Sequence, residues 1–117
     1  MKSKKEASVL IIYTGGTIGM VHDPLTGSLV PIDFDHITDH VPVLGRFGHT
    51  FQSVSLEPVR DSSNIDPSLW VRMAEIICDN YDRYDGFVVL HGTDTMAYSA
   101  SALSFMLANL AKPVVFT

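Results

Sequence analysis

Two short apolar runs, each followed at once by a threonine–glycine turn, constrain the fold of this chain most strongly. The run 9–13 (VLIIY) is followed by TGGTIG at 14–19, and the run 87–90 (FVVL) is followed by HGTDT at 91–95. Nearly continuous apolar runs of this length are typical of strands covered on both faces, as in parallel sheets. The carboxyl ends of such strands form one edge, where ligands bind. The two turns therefore predict a site for a small polar molecule.

The other strand patterns flank these runs. Residues 50–57 alternate between apolar and polar side chains and predict a half-buried strand with Val54 and Leu56 on one face. Residues 114–116 predict a last apolar strand after Pro113. Residues 20–31 predict a mobile loop or a small hairpin that turns at Gly27.

Helix patterns separate the strands. Asp33 is a possible cap for a short helix over 34–41, and Asp66 is a possible cap for a helix that is expected to begin at Pro67 and run to about Asn80. Asp94 or Thr93 is expected to cap a further helix over 95–109. The inward candidates of these two longer helices are Leu69, Met73, Ile76, Ile77, Tyr81, Met96, Ala100, Leu103, Phe105, Met106 and Leu107. Alternation of strands and helices predicts an α/β fold, a mostly parallel sheet with helices on both faces.

Composition sets limits on the class of protein. The chain of 117 residues is 46% hydrophobic and 18% charged, which fits one globular domain, 1–117. Its net charge of −5 argues against nucleic acid or an anionic membrane as a partner. Cys78 is the one cysteine, which excludes an internal disulfide and fits a reducing cytoplasm; its place in a helical apolar pattern predicts a core position.

The glycine-rich turns favour nucleophilic chemistry over phosphate binding. The spacing at 15–19 is Gly-Gly-x-x-Gly, which is neither the dinucleotide pattern nor a P-loop. A threonine hydroxyl needs a base and an oxyanion site to attack an amide. Glycines beside Thr14 and Thr93 would let a substrate amide approach backbone N–H groups, and Asp94 offers a carboxylate for a substrate ammonium.

Several stretches resemble the bacterial-type L-asparaginases. Residues 11–19 (IIYTGGTIG) are similar to the first signature of that family, and residues 86–96 (GFVVLHGTDTM) are similar to the second. Residues 61–64 (DSSN) are similar to its substrate loop. Residues 95–98 (TMAY), together with the lack of an export signal, resemble the cytoplasmic, type I branch.

The resemblance implies hydrolysis of L-asparagine to aspartate and ammonia through a covalent β-aspartyl enzyme, with no cofactor or metal. By motif position, Thr14 would be the nucleophile and Thr93 the second catalytic threonine. Asp94, counted with the catalytic residues, would bind the substrate α-ammonium. Ser62 would bind the α-carboxylate, with Ser63 close by.

Two departures from the family pattern accompany the resemblance. Family members commonly have an activating tyrosine in the loop after the first threonine, whereas residues 14–80 contain no tyrosine. The catalytic lysine of the family and its C-terminal domain would lie beyond residue 117. We therefore expect that the chain is an incomplete N-terminal asparaginase-like domain and is inactive alone. We expect the intact protein to be a cytoplasmic homodimer or homotetramer.

Two other functions fit the sequence. The ammonia-supplying subunit of a tRNA-dependent amidotransferase shares both signatures, but an N-terminal domain usually precedes its first threonine. A non-catalytic small-ligand-binding α/β domain is the other alternative.

Among individual residues, His91 is expected to be a structural hydrogen-bonding group rather than a base. The acidic and histidine side chains of residues 33–40 are expected to lie on a solvated surface rather than to bind a metal.

Overall fold

The computed structural model describes residues 6–14, 20–31, 46, 48–56, 67–92, 95–107 and 109–117. These residues form six strands and two helices, which are β1 (Ser8–Tyr13), β2 (Met20–His22), β3 (Leu29–Pro31), β4 (Thr50–Ser55), α1 (Pro67–Asn80), β5 (Gly86–Leu90), α2 (Met96–Met106) and β6 (Val114–Phe116). No helix within the described ranges is long and apolar enough to cross a membrane.

Four of the strands form one parallel sheet in the order β4-β1-β5-β6. The central strand β1 pairs with β4 on one side and with β5 on the other, so that Tyr13 lies between Ser55 and Leu90. The later strands are added on both sides of β1, so the order of strands across the sheet reverses at β1. The mostly parallel α/β fold that the sequence predicts is confirmed.

The main core lies on one face of this sheet. It contains alternate residues of the central strands, such as Leu10 and Ile12 of β1, packed against both helices. The other buried members are Leu56, Leu69, Met73, Ile77, Phe87, Val89, Leu103 and Leu107. Both described helices thus cover the same face of the sheet. On the opposite face Ile11 and Tyr13 are buried, and Phe51 and Leu90 pack against them.

Strands β2 and β3 form the small hairpin that the sequence offered as one of two possibilities for residues 20–31. They pair antiparallel, with Val21 opposite Val30. The turn closes at Gly27, whose N–H donates to the Asp23 carbonyl at 2.8 Å and whose φ is +72°. Glycine adopts this left-handed backbone without the steric cost that a side chain brings.

Three details of the helices differ from the predictions. Helix α2 ends at Met106 rather than at 109, because Leu107 turns into the core and Asn109 takes a positive φ of 59°. Thr95, not Asp94 or Thr93, holds its N-cap position. Phe105 and Met106 are exposed, not inward, and Cys78 is exposed rather than in the core. The predicted helix over 34–41, the polar side chains of 33–40 and the Asp66 cap lie outside the described residues.

Candidate functional site

Three neighbouring strands of the sheet end together at its carboxyl edge. Thr14 follows β1, Leu56 follows β4 and His91 follows β5. The Leu56 N–H donates to the Tyr13 carbonyl at 2.9 Å, and the Thr14 N–H donates to the Leu90 carbonyl at 3.1 Å. These bonds extend the parallel ladder one residue beyond the strands. The segments that carry the predicted site residues therefore start from adjacent points of one edge.

Thr14 is the predicted site residue that the structure describes. Its side chain is fully buried, and its hydroxyl donates to the Leu90 carbonyl oxygen at 2.9 Å. The same oxygen also accepts the Thr14 N–H, so both donors of Thr14 join the end of β1 to the end of β5. The hydroxyl oxygen keeps its lone pairs for a further partner. In this arrangement the Thr14 hydroxyl proton is bonded to a carbonyl oxygen and not to a base.

The turn after β5 is hydrogen-bonded to the residue that follows the last strand, β6. The N–H groups of His91 and Gly92 both donate to the Thr117 carbonyl, at 2.7 and 3.2 Å. The His91 ring lies against Phe116, with 5.8 Å between ring centroids. Gly92 has a φ of +89°, a conformation that side-chain-bearing residues rarely adopt. This glycine therefore permits the sharp turn that precedes Thr93 in the sequence.

His91 is fully buried and both of its ring nitrogens are bonded. Nδ1 lies 3.1 Å from the Gly92 carbonyl oxygen, and Nε2 lies 2.7 Å from the Ser99 hydroxyl. A carbonyl can only accept, so Nδ1 carries the proton, and in the neutral ring Nε2 accepts from Ser99. The Trp70 indole N–H donates to the same hydroxyl at 2.7 Å. Both ring nitrogens of His91 thus take part in hydrogen bonds within the fold, as predicted, and the expectation that the ring is not a base stays a prediction.

Sequence reasoning missed Ser99 and Trp70. Ser99 lies one helical turn before Leu103 and two before Leu107, and all three are buried. A serine in the same i, i+4 row as two inward leucines is a signal for a buried hydroxyl. No comparable pattern marks Trp70, because its indole N–H meets Ser99 only through the packing of α1 on α2.

The other predicted site residues, Ser62, Ser63, Thr93 and Asp94, lie outside the described residues. Their sequence neighbours are described. Ser62 and Ser63 fall between the end of β4 and the start of α1, and the pair 93–94 falls between Gly92 and Thr95. Among the residues that the structure describes, no group of three or more His, Cys, Asp or Glu side chains is placed to hold a metal ion.

Tyr13, the residue before Thr14, is buried on the face opposite to the main core. Burial raises the pKa of its hydroxyl above the usual value of 10.0, because removing the phenolate from water costs free energy. The hydroxyl therefore stays protonated at neutral pH. In a strand, successive side chains point to opposite faces, so this ring does not share the orientation of Thr14.

Comparison with known proteins identifies the family. The sequence profile described as "Asparaginase, N-terminal" matches residues 8–117, nearly the whole chain. The chain belongs to the asparaginase family. The resemblance seen in the sequence motifs is therefore confirmed.

Curated relatives and solved structures agree with this assignment. L-asparaginase 1 of Escherichia coli K12 is 44% identical over 97% of this chain and 34% of its own length. A glutamyl-tRNA(Gln) amidotransferase subunit of Thermoplasma acidophilum is 37% identical over 98% of the chain and 28% of its own length. The chain thus spans between 28% and 34% of the length of these two relatives.

Two crystal structures show the same fold. L-asparaginase I from Vibrio cholerae superposes with a TM-score of 0.76 at 42% identity, covering 96% of this chain and 34% of that one. A probable cytoplasmic L-asparaginase from Campylobacter jejuni superposes with a TM-score of 0.72 at 31% identity, covering 95% of this chain and 34% of that one.

Proposed function

We propose that the intact protein that carries this chain is an amidohydrolase that converts L-asparagine to L-aspartate and ammonia. Membership of the asparaginase family and the named L-asparaginases among its relatives support this activity. The protein is a cytoplasmic enzyme in this proposal, in keeping with the Campylobacter relative. Its substrate is a free amino acid, and no nucleic acid or membrane takes part.

The reaction proceeds through a covalent ester on Thr14. The Thr14 oxygen attacks the side-chain amide carbon of asparagine, and its proton passes to a base. The protonated base gives that proton to the amide nitrogen as the C–N bond breaks, and ammonia leaves. Water then attacks the ester carbon and frees aspartate and the threonine hydroxyl. Thr93 is the second catalytic threonine. Asp94 binds the α-ammonium and Ser62 the α-carboxylate, with Ser63 beside it.

The hydrogen bond from the Thr14 hydroxyl to the Leu90 carbonyl is the observation that carries this proposal. Its length of 2.9 Å brings the nucleophile to the end of β5, and Thr93 follows Leu90 by three positions in the sequence. A side chain that follows β1 and a turn that follows β5 thereby share one corner of the sheet. Two catalytic threonines that act on one small substrate must lie close together.

Replacement of Thr14 tests the proposal. Thr14→Val removes the hydroxyl and keeps the shape, whereas Thr14→Ser keeps a hydroxyl. We expect Thr14→Val to lower kcat for asparagine hydrolysis at least ~1,000-fold, because loss of a nucleophile removes the covalent route. Thr14→Ser is expected to retain part of the activity. Ammonia release by the intact protein is the measurement.

A matched control is available at the opposite edge of the same sheet. Thr50 begins β4, is exposed, and bonds Glu6 through its hydroxyl. Thr50→Val is expected to leave kcat unchanged. If Thr14→Val hydrolysed asparagine at the rate of Thr50→Val, Thr14 would not be the nucleophile. If the unaltered protein bound asparagine without releasing ammonia, a non-catalytic binding domain would be the better assignment.

The amidotransferase subunit is a second candidate, and the Thermoplasma relative favours it. An amidotransferase would release ammonia from glutamine to a partner protein and would depend on charged tRNA. The choice between asparagine and glutamine depends on about one methylene, worth roughly 1–3 kcal/mol of pocket contacts. Comparing kcat/KM for both amino acids, with and without the partner protein and tRNA, separates the two functions.

The 117-residue chain by itself is expected to be inactive. The relatives are about three times as long, so catalytic groups beyond the matched third would be missing. The intact protein is a homodimer or homotetramer in this proposal. Assaying residues 1–117 beside the intact protein tests the first expectation, and ammonia release by the short chain would contradict it. Light scattering of the intact protein measures its oligomeric state.

A further inference from the structure

A buried chain of polar groups links both helices to the turn after β5. The Trp70 indole of α1 donates to the Ser99 hydroxyl of α2, and that hydroxyl bonds the His91 ring, each at 2.7 Å. The His91 ring in turn bonds the Gly92 carbonyl at 3.1 Å. Ser99 and His91 are both fully buried. Buried hydrogen bonds of this kind fix geometry because no water competes for the partners.

Ser99 is bonded to both sides of the 93–94 pair. On the amino side its hydroxyl acts through His91 on Gly92. On the carboxyl side its backbone N–H donates to the Thr95 carbonyl at 3.1 Å. One residue of α2 thus holds the two residues that flank Thr93 and Asp94 in the sequence. Trp70 lies in the first turn of α1, shortly after the segment that contains Ser62 and Ser63.

We propose that Ser99 is a positioning residue for the amidohydrolase reaction. It holds the backbone at Gly92, the residue before Thr93 and Asp94 in the sequence, by fixing the His91 ring against the Gly92 carbonyl, and Trp70 orients its hydroxyl. The inference rests on the proposed function, because a fixed Gly92 backbone matters for catalysis only if Thr93 and Asp94, which follow it in the sequence, act on the substrate.

The donor and acceptor pattern explains why a hydroxyl is needed at this position. The hydroxyl has one proton, which it gives to His91 Nε2, while its oxygen accepts the Trp70 N–H. In this arrangement the histidine proton is on Nδ1, where it bonds the Gly92 carbonyl. Without the hydroxyl, the Nε2 lone pair and the indole N–H lose their partner, and the ring is held at Nδ1 alone. The donor to the Gly92 carbonyl is then less firmly fixed.

The test compares variants of the intact protein by their asparaginase kinetics. Ser99→Ala is expected to lower kcat by about 10- to 100-fold, because small displacements of catalytic groups have effects of that size. Trp70→Phe removes only the indole N–H and is expected to lower kcat less. Ser99→Thr restores a hydroxyl and is expected to recover most of the kcat lost in Ser99→Ala.

Two control variants separate positioning from general destabilisation. Ser104→Ala changes an exposed serine of the same helix, whose hydroxyl bonds the Ser101 carbonyl, and is expected to keep kcat. Ile77→Val weakens the core of α1 away from the network and is expected to lower the melting temperature without lowering kcat. Nitrogen-15 NMR of His91 gives a readout independent of activity. We expect one Nδ1-protonated tautomer in the unaltered protein and, in Ser99→Ala, a shifted Nε2 signal, because this nitrogen has lost its hydrogen bond.

The outcomes distinguish this inference from the proposed function. If the unaltered protein hydrolyses asparagine and Ser99→Ala has the same kcat and the same His91 nitrogen signals, the positioning role is wrong and the proposed function stands. If Ile77→Val, matched in melting temperature, loses as much kcat as Ser99→Ala, the positioning role is also wrong. If the unaltered protein hydrolyses no amide, the proposed function fails by itself, and Ser99-dependent His91 nitrogen signals would still show that the network holds the ring.

Discussion

At the scale of single residues, buried polar side chains gather near the carboxyl edge of the sheet. Thr14, His91 and Ser99 are each fully buried and each is hydrogen-bonded. Burying a polar group costs free energy unless its bonds are restored, so a core built for stability alone would use apolar side chains here. Their concentration around the Leu90–Gly92 turn fits a site that requires fixed polar groups.

Tyr13 gives a prediction about pH. Burial raises the pKa of its hydroxyl in the folded protein above 10.0, the usual value, which applies to the unfolded chain. At a pH between the unfolded-state and folded-state pKa values, the folded state holds a proton that the unfolded state has lost. The free energy of unfolding should therefore be fully maintained below pH ~10 and fall as the pH rises further. Tyr13→Phe should reduce this alkaline loss, as measured by urea unfolding between neutral and alkaline pH. An unchanged slope above pH ~10 would contradict the prediction.

The sequence predicted correctly the positions of residues that follow from a local pattern. Thr14 could be placed because it ends an apolar run, and Pro67 because it suits the first helical position. Cys78 could not, because the residue after an inward Ile77 lies about 100° further round the helix and can face water. Ser99 and Trp70 meet only after α1 and α2 have packed, and no local pattern encodes such a pairing.

At the scale of secondary-structure elements, the hairpin β2–β3 is held by its own short-range bonds. Asp23 accepts the Gly27 N–H on its carbonyl and the Leu25 N–H on its side chain, both at 2.8 Å. The His22 ring donates from Nδ1 to the Gly27 carbonyl at 3.0 Å. These bonds close the turn, and the positive φ of Gly27 is the conformation on which they depend.

Gly27→Ala isolates the effect of that conformation. A Cβ at this position meets nothing within 4 Å, so the expected cost of roughly 1 kcal/mol comes from the backbone alone. Gly27→Asn should cost less, because asparagine tolerates a positive φ. Hydrogen exchange of the Gly27 and Ser28 amides should be faster in Gly27→Ala than in Gly27→Asn. Equal exchange in the two variants would show that the turn does not need this conformation.

Helix α2 shows the limit of periodicity as a guide. Its sequence, MAYSASALSFM, has no charged residue, and apolar side chains occur all round it. The pattern therefore cannot select the inward face, and Phe105, predicted inward, is 87% exposed. The predicted end at 109 was also too late, because the inward turn of Leu107 depends on the core that it joins.

At the scale of the whole molecule, the order of strands was the part that the sequence could not supply. The apolar runs predicted the strands β1, β5 and β6, but not that β4 and β5 would flank β1. That order depends on long-range packing of the helices on one face. It determines the site, because it brings the ends of β1, β4 and β5 to adjacent positions.

The core under the helices should respond strongly to loss of volume. Met73 is fully buried in the main cluster, whereas Val71 on the same helix is 44% exposed. Met73→Ala should lower the free energy of unfolding by about 2–5 kcal/mol, because it leaves a cavity as well as removing apolar contact. Val71→Ala should change it by less than about 1 kcal/mol. Urea unfolding of both variants measures the difference, and equal losses would contradict the described packing.

Trapping the acyl-enzyme would show directly whether Thr14 is the nucleophile. The intact protein is mixed with L-asparagine, quenched in acid within one turnover, digested and analysed by peptide mass spectrometry. We expect an aspartyl ester on Thr14, absent from Thr14→Val and present in Thr50→Val. An ester on Thr17 or Thr93 instead, or no ester in a protein that releases ammonia, would contradict the assignment of Thr14 as the nucleophile.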